Sequence, residues 1–160
     1  MKTLDSKKIA GVILRKIRKE IENRNKRLAL GVVQVGGDSV NKSYLRQKRL
    51  ASEKANVDFS LFRFPADAKE EILIKEITGL AKDKNVFGIV IQLPLPKTIN
   101  SRKILNLIPL EKDPDCLSDT AFGRFCGNEP LILPPIVGAV KYFLDERKTD
   151  VQGKNEKKYD

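Results

Sequence analysis

Hydrophobic residues follow two different spacings along this chain, and each spacing predicts a different kind of element. Ile9, Ile13, Ile17 and Ile21 recur four residues apart with basic side chains between them, which is typical of one face of a helix. Residues 28–35 form a nearly continuous apolar run instead, as expected of a strand that is covered on both faces. Both patterns return further along the chain, so helices and strands are predicted to alternate.

This alternation predicts the fold class. In chain order, we expect a helix that begins at Asp5 or Ser6, a strand over 28–35, a helix over 39–55, a strand over 58–64, a helix over 68–82, a strand that opens at Gly88, a short helix over 99–107, a loop over 112–128 and a last helix over 135–146. Strands separated by helices are joined by right-handed crossovers, which build a parallel sheet. We therefore expect a three-layer α/β fold, in which βαβ units build a mostly parallel sheet flanked by helices.

The strand that opens at Gly88 ends at an informative polar residue. Residues 89–91 run without a polar break, and Gln92 follows them directly. Pro94 and Pro96 cannot donate to a sheet ladder, so the sheet is predicted to stop there. Ligands of open parallel sheets bind just outside the carboxyl ends of the strands, which is where Gln92 is placed. The alternative is a glutamine that only caps the strand.

Two residues of the second predicted helix form a candidate pair. Tyr44 and Lys48 are four residues apart, so they share one face of that helix. The ring of Tyr44 can lie against a flat ligand while the amine of Lys48 stands beside the reacting atoms. On spacing alone, an ordinary surface pair explains this pattern equally well.

Composition narrows the chemistry that this chain can perform. With 160 residues, of which 41% are hydrophobic, the chain has the size of one globular domain with a substantial core. It contains no histidine, which excludes Ser-His-Asp and Cys-His nucleophile arrangements within the chain. Acid–base chemistry must therefore fall to lysine, tyrosine or carboxylate side chains.

Cysteine usage and hydropathy bear on the cellular compartment. Cys116 and Cys126 do not have the paired spacing of metal ligands, so no metal site is expected and a reduced, cytoplasmic compartment is the simpler interpretation. No apolar run reaches membrane-spanning length, and residues 1–5 have no signal-peptide core, so no membrane partner is expected.

The charge of the chain favours anionic partners. Its 31 basic and 21 acidic side chains give a net charge of +10, and residues 1–27 carry ten basic side chains against three acidic ones. Such a field attracts nucleic acids or small anions. The basic segment has no interleaved aromatic residues on which bases could stack, so nucleic-acid binding is the weaker interpretation and a solvated helix face the simpler one.

Several strings together carry a family resemblance. They are G-I-V-I-Q-L-P-L-P at 88–96, K-D-P-D at 112–115, S-Y-L-R-Q-K at 43–48, V-G-G-D-S at 35–39 and F-G-R at 122–124. In this order, and from about Leu4 to about Lys154, the chain resembles the methylenetetrahydrofolate dehydrogenase/cyclohydrolase family, specifically its amino-terminal, folate-binding catalytic domain. The resemblance implies a role in one-carbon folate metabolism, with a tetrahydrofolate derivative as the substrate.

The resemblance implies a role for each candidate residue. Lys48 corresponds to the acid–base group of methenyl-tetrahydrofolate hydrolysis, and Gln92 would hydrogen-bond Lys48 and orient it. Asp115 would accept hydrogen bonds from the pterin, and Tyr44 would stack on the substrate. The candidate catalytic residues are Tyr44, Lys48, Gln92 and Asp115, and the candidate substrate-binding residues are Tyr44, Gln92, Leu93, Pro94 and Asp115.

The resemblance also implies a second domain. Members of the family continue into a Rossmann-type domain that binds the nicotinamide cofactor, and this chain has no glycine-rich G-x-G-x-x-G loop. We expect a folate-binding domain over 1–147, a charged tail over 148–160 at the start of the missing domain, and use of NADP only where that domain is supplied. Two alternatives stay open, namely a folate-binding remnant without activity and a basic nucleic-acid-binding module.

Two positions depart from the family pattern. Cys116 stands where the family commonly has glycine, and a cysteine fits poorly if the backbone there needs a positive φ. Residues 134–137 read P-P-I-V where the family has P-C-T-P. The last helix carries an apolar stripe for which self-association or a homodimer is expected. The stripe consists of Ile136, Val137, Val140, Phe143 and Leu144.

Overall fold

The computed structural model describes residues 5–24, 27–37 and 39–147. Its centre is a parallel sheet of three strands, which are β1 (Ala29–Val35), β2 (Asp58–Phe64) and β3 (Val86–Ile91). The strand order is β2-β1-β3, so β1 is the central strand. The predicted α/β class, with a parallel sheet flanked by helices, is confirmed.

Helices connect the strands and extend beyond them. They are α1 (Ser6–Arg24), α2 (Ser39–Ala55), α3 (Glu70–Lys82), α4 (Ser101–Leu105), α5 (Asp119–Cys126) and α6 (Pro135–Glu146), with one 3-10 turn at Leu110–Lys112. Most bounds lie within two residues of the predicted ones. The charged tail over 148–160, expected to begin a second domain, lies outside the described residues.

The side chains of β1 alternate between two apolar cores. Val33 points to the layer formed by α3, where Leu73 and Ile77 are fully buried. Val32 points to the opposite layer, where it packs with Leu45 of α2. Each such buried aliphatic side chain contributes about 1.5–3 kcal/mol through the hydrophobic effect. Burial on both faces explains why β1 and β3 are nearly continuous apolar runs.

Two glycines have structural roles at the periphery of this sheet, one in a turn and one in a close contact. Gly36 turns the chain out of β1 with a φ of 75°, in the left-handed region that favours glycine. Gly88 lies in β3, which begins two residues before it and not at Gly88 as the sequence pattern predicted. A Cβ at Gly88 would lie 2.9 Å from Leu30 Cδ1 and 3.6 Å from Pro114 Cγ. The missing side chain therefore makes room for Leu30, whereas the approach to Pro114 has the distance of an ordinary contact.

Helix α5 corrects the prediction of a loop over 112–128. The helix has only eight residues and contains Gly123, so its intrinsic signal is weak. Ser118 begins it by accepting a hydrogen bond from the Ala121 N–H at 3.2 Å. The backbone of Ser118 is itself held by the carboxylate of Asp113 at 2.8 Å. The helix therefore depends on a contact outside itself, which the local pattern does not reveal.

The backbone at Cys116 has a positive φ, which is the conformation in which a cysteine is expected to fit poorly. Its φ is 56°, and its side chain is only 3% exposed. A residue with a Cβ costs about 1–2 kcal/mol in the left-handed region, whereas glycine adopts it readily. Cys116 therefore holds a strained backbone conformation in the loop that carries Asp115.

A pair of variants measures this strain. Cys116→Gly and Cys116→Ala both remove the thiol, but only glycine relieves the backbone conflict. We expect the glycine variant to have a free energy of unfolding about 1 kcal/mol higher than that of the alanine variant. Urea unfolding followed by circular dichroism compares them. Equal stabilities would show that the backbone at position 116 is not strained.

Candidate active site

The candidate site lies at the carboxyl end of the two neighbouring strands β1 and β3. The chain leaves β1 toward α2, and it leaves β3 through Gln92 to Pro96. The N–H of Gln92 donates to the carbonyl of Val33 at 2.8 Å, so the ladder between the two strands continues to the last residue before the loop. This edge of a parallel sheet is where such folds bind ligands.

An ion pair closes one side of the site. Lys48 Nζ lies 3.3 Å from Asp115 Oδ2, although the two residues are 67 positions apart in the chain. Their side chains are 32% and 28% exposed. Partial burial removes much of the water that weakens exposed pairs, so the two charges interact more strongly here than at an open surface. The structure thus brings together two residues that the sequence patterns indicated separately.

The packing of α2 positions Lys48 beside the sheet. Leu45 and Ser52 are buried on the sheet-facing side of the helix, one turn before and one turn after Lys48. The hydroxyl of Ser52 donates to the carbonyl of Lys48 at 3.0 Å. These contacts fix the rotation of the helix about its axis and place Lys48 at the border between the core and the open edge.

The residues of the K-D-P-D string have different structural roles. Lys112 Nζ donates to the carbonyls of Ala81 at 2.8 Å and Asp83 at 2.7 Å, which satisfies acceptors at the carboxyl end of α3. Asp113 is buried, and its carboxylate accepts the backbone N–H groups of residues 117 and 118. Between these two anchors, Asp115 is held facing Lys48.

Sequence reasoning missed the structural roles of Lys112 and Asp113. It assigned a role only to Asp115, the last residue of the string. An acidic residue that directly precedes proline and lies four to five positions before a Ser-Asp helix start was the available signal, because such carboxylates often bind backbone N–H groups.

The remaining predicted residues lie at the same edge with different surroundings. Tyr44, one turn before Lys48 on α2, is 64% exposed, so its ring is open to a ligand. Leu93 and Pro94 are exposed and are joined by a cis peptide bond. Gln92 is half-buried, and its Nε2 donates to the Leu93 carbonyl at 3.5 Å.

The structure adds a contact of Lys48 that the sequence did not indicate, while the hydrogen bond between Gln92 and Lys48 stays a prediction. The Lys48 amine is paired with Asp115, for which the sequence indicated a contact with the pterin alone. The reason lies in the anchoring of the K-D-P-D loop, which brings a carboxylate within reach of the amine. A charged acceptor binds an ammonium group more strongly than a neutral amide does.

The cysteine that follows Asp115 is not a nucleophile of this site. Burial, and then the negative charge of Asp113, raises the pKa of the Cys116 thiol. Both cysteines are free, and Cys126 is exposed. Within the described parts of the chain, no three acidic or cysteine side chains are grouped so that they could hold a metal ion.

Two neighbouring aspartates allow the structural and the functional role to be separated. Asp113→Asn replaces one of two acceptor oxygens with a donor that faces a backbone N–H, so we expect a loss of about 1–3 kcal/mol of stability. Asp115→Asn changes a partly exposed pair and should cost less than about 1 kcal/mol. Thermal unfolding compares the two variants, and similar losses would contradict this division of roles.

This chain is similar to a known family of proteins. Residues 4–115 match the family described as tetrahydrofolate dehydrogenase/cyclohydrolase, catalytic domain. The bifunctional protein FolD of Geotalea daltonii is 37% identical over 160 residues, which cover 96% of this chain and 56% of that protein. FolD of Lactobacillus gasseri is 35% identical over 157 residues, which cover 96% of this chain and 56% of that protein.

Solved structures share the fold. The methylenetetrahydrofolate dehydrogenase-cyclohydrolase of Trypanosoma brucei superposes with a TM-score of 0.87 at 28% identity, covering 96% of this chain and 54% of that one. The methylenetetrahydrofolate dehydrogenase of the silkworm, Bombyx mori, gives 0.84 at 32% identity, covering 91% and 52%. This chain spans about half the length of the curated relatives it matches. The predicted resemblance is confirmed, and the chain belongs to the tetrahydrofolate dehydrogenase/cyclohydrolase family.

Proposed function

We propose that this chain binds a tetrahydrofolate derivative at the Lys48 site and carries the residues for hydrolysis of methenyl-tetrahydrofolate. The observation that carries the proposal is the partly buried pair of Lys48 and Asp115 at the carboxyl edge of the sheet. Tyr44 lies one helical turn away with its ring exposed. An amine, a carboxylate and an open aromatic ring then surround one ligand position, in a chain that has no histidine.

The proposed chemistry uses the Lys48 amine for proton transfer. With Lys48 in its neutral form, water adds to the methenyl carbon and one of its protons passes to the amine, which then forms the ammonium that pairs with Asp115. One carbon–nitrogen bond then breaks as that nitrogen takes up a proton, which leaves a formyl group on the other nitrogen. Asp115 orients the amine through Oδ2, and a carboxylate has enough acceptor sites to bind the N–H groups of a pterin at the same time.

Substrate contacts follow from the exposed groups at the strand end. We assign Gln92, Leu93 and Pro94 to the wall of the folate site, with Gln92 supplying an amide and the other two an apolar surface. All three follow β3 directly and are partly or fully exposed. Tyr44 supplies the stacking surface on the side of α2.

The dehydrogenase half is assigned to a second domain. The relatives are about twice as long as the matched region, and the Trypanosoma brucei enzyme was solved in complex with an NADP cofactor. We propose that residues 1–147 form the folate-binding domain and that NADP-dependent oxidation requires a further nicotinamide-binding domain. A cytoplasmic location belongs to this proposal as well. Among the described helices, none is both long and apolar enough to cross a membrane.

Lys48→Met tests the catalytic assignment because it keeps the length of the side chain and removes the amine. We expect hydrolysis of methenyl-tetrahydrofolate, followed by absorbance, to fall ~10²–10⁴-fold with little change in stability. Lys54→Met is the matched control, because Lys54 is an exposed lysine in the last turn of the same helix. Unchanged hydrolysis in the Lys48 variant would refute the assignment.

The same experiment separates catalysis from binding alone. If the unmodified chain binds a folate saturably and shows no hydrolysis, the chain is a binding remnant and not a catalyst. If it binds no folate and binds RNA in a salt-dependent manner, the proposal fails in favour of a nucleic-acid-binding module.

The apolar stripe of α6 is only partly exposed. Ile136, Val137 and Val140 are 80%, 37% and 52% exposed. Phe143 is half-buried and lines an apolar groove of about 300 Å³ together with Ile9 and other residues of α1. Self-association or a homodimer therefore remains a prediction for the exposed part of the stripe, whereas Phe143 lines the groove between α6 and α1.

Two substitutions distinguish the parts of this stripe. We expect Val140→Glu to lower self-association in sedimentation without loss of stability, because the charge is placed in water. Phe143→Glu should destabilise the fold by about 1–3 kcal/mol, because it places a charge in an apolar groove. Thr120→Glu, at an exposed position of α5, controls for the change in net charge. Equal association of all variants would exclude α6 as the contact.

A further inference from the structure

A second concave site lies on the other side of α2. It is a cavity of about 470 Å³ between α2 and the edge strand β2, at the carboxyl end of β1. This volume is within the range of sites for small molecules. The proposed folate chemistry uses none of its lining residues, so an inference about it does not depend on that proposal.

Helical spacing separates this cavity from the Lys48 site. With Leu45 facing the sheet, the 100° turn between successive residues places Tyr44 and Lys48 on one flank of α2. It places Arg46 and Arg49 on the opposite flank, where they line the cavity. One helix therefore presents two separate surfaces at the same edge of the sheet.

The rim of the cavity is strongly basic. Its lining includes Lys42, Arg46, Arg49 and Arg63, and among the described residues that line it none is acidic. None of these four side chains forms an ion pair with any residue that the structure describes. Four like charges around one concave surface repel one another and concentrate anions from solution.

The floor of the cavity contains an amide side chain. Gln34 lines the cavity, and the residue as a whole is only 6% exposed. Its carboxamide makes no hydrogen bond to any described residue of the chain. Its amide atoms are not fully enclosed, so they are open to the cavity. A bound molecule can replace water there as a hydrogen-bond donor or acceptor.

Strand register explains why this polar floor exists. Along β1 and β2, the pair Val32 and Leu61 faces the α2 layer, and the next pair on the same face is Gln34 and Arg63. The apolar face of the sheet therefore becomes polar and basic in its last row. This change occurs where the backbone leaves the sheet and the cavity opens.

Part of the remaining lining is apolar, and one of its aromatic rings holds the guanidinium of Arg49 in place. Phe59 and Leu61 are half-buried in the cavity wall. The guanidinium of Arg49 stacks over the ring of Phe59, 5.1 Å from its centroid. A stacked guanidinium keeps its planar edge available for two parallel hydrogen bonds to a carboxylate or a phosphate.

We propose that this cavity binds a small organic polyanion that has at least two carboxylate or phosphate groups and a compact apolar or aromatic body. The basic rim binds the anionic groups, Phe59 and Leu61 contact the body, and Gln34 hydrogen-bonds a polar atom at its inner end. The concave shape and the enclosed volume of about 470 Å³ favour a small molecule over an extended nucleic-acid backbone.

Calorimetric titration with three probes tests the proposal. Adenosine diphosphate and pyrophosphate differ by the aromatic body, and benzene-1,3,5-tricarboxylate replaces phosphates with carboxylates. We expect saturable one-to-one binding that weakens with salt, with adenosine diphosphate binding more tightly than pyrophosphate. Comparison with the tricarboxylate identifies whether the site prefers phosphate or carboxylate.

Variants show whether the cavity is responsible. The double variant Arg46→Gln with Arg63→Gln should weaken binding by at least ~10-fold, because two charged hydrogen bonds are lost. Gln34→Leu should weaken it as well, with its fold checked by circular dichroism. Lys16→Gln removes one charge from the exposed side of α1, and Lys48→Met removes the amine of the other flank. Neither should change the affinity.

Three results would overturn the proposal. They are the absence of saturable binding for all three probes, an equal loss of affinity in Lys16→Gln and the double variant, and a loss in Lys48→Met that matches that of the double variant. The last result would place the anion at the folate site. Tight binding of single-stranded RNA without binding of the small probes would overturn it in favour of a nucleic-acid surface.

Discussion

The buried carboxylate of Asp113 is the contact on which the candidate site depends. It accepts the N–H groups of Leu117 and Ser118, and through Ser118 it supports the start of α5. The same short loop carries Asp115, whose position opposite Lys48 follows from this anchor. A carboxylate that is removed from water needs such donors to offset its lost hydration, so the loop has few alternative conformations. The geometry of the candidate site is thus fixed by a buried residue behind Asp115.

Helix α2 gives the edge of the sheet two distinct surfaces. Its buried stripe, which includes Leu45 and Ser52, fixes the rotation of the helix and so decides which side chains reach which flank. Lys48 then faces the loop of Asp115, and Arg49 faces β2. In the two proposals made for this chain, one amphipathic helix serves a reaction on one side and a different binding event on the other.

Hydrophobic periodicity and the positions of glycine and proline were enough to predict the sheet, the order of its strands along the chain and most helices. They failed at α5, where eight residues that include Gly123 become helical through a cap held by Asp113. Lys48 and Asp115 are 67 positions apart in the chain, and no local sequence pattern reveals a contact over such a separation. The family resemblance placed both residues in one site but did not indicate that they pair with each other, because the anchoring of the loop is a property of the folded chain.

The absence of a side chain at Gly88 links parts of the molecule that are distant in sequence. Leu30 Cδ1 and Pro114 Cγ both border the space that a Cβ would fill, one from the core beneath α2 and one from the loop of Asp115. A Cβ at position 88 would have to displace Leu30, and a side chain that extends beyond the Cβ would meet Pro114 as well. The tight contact therefore lies between positions 30 and 88, and a smaller residue at position 30 is the change that would make room for a side chain at position 88.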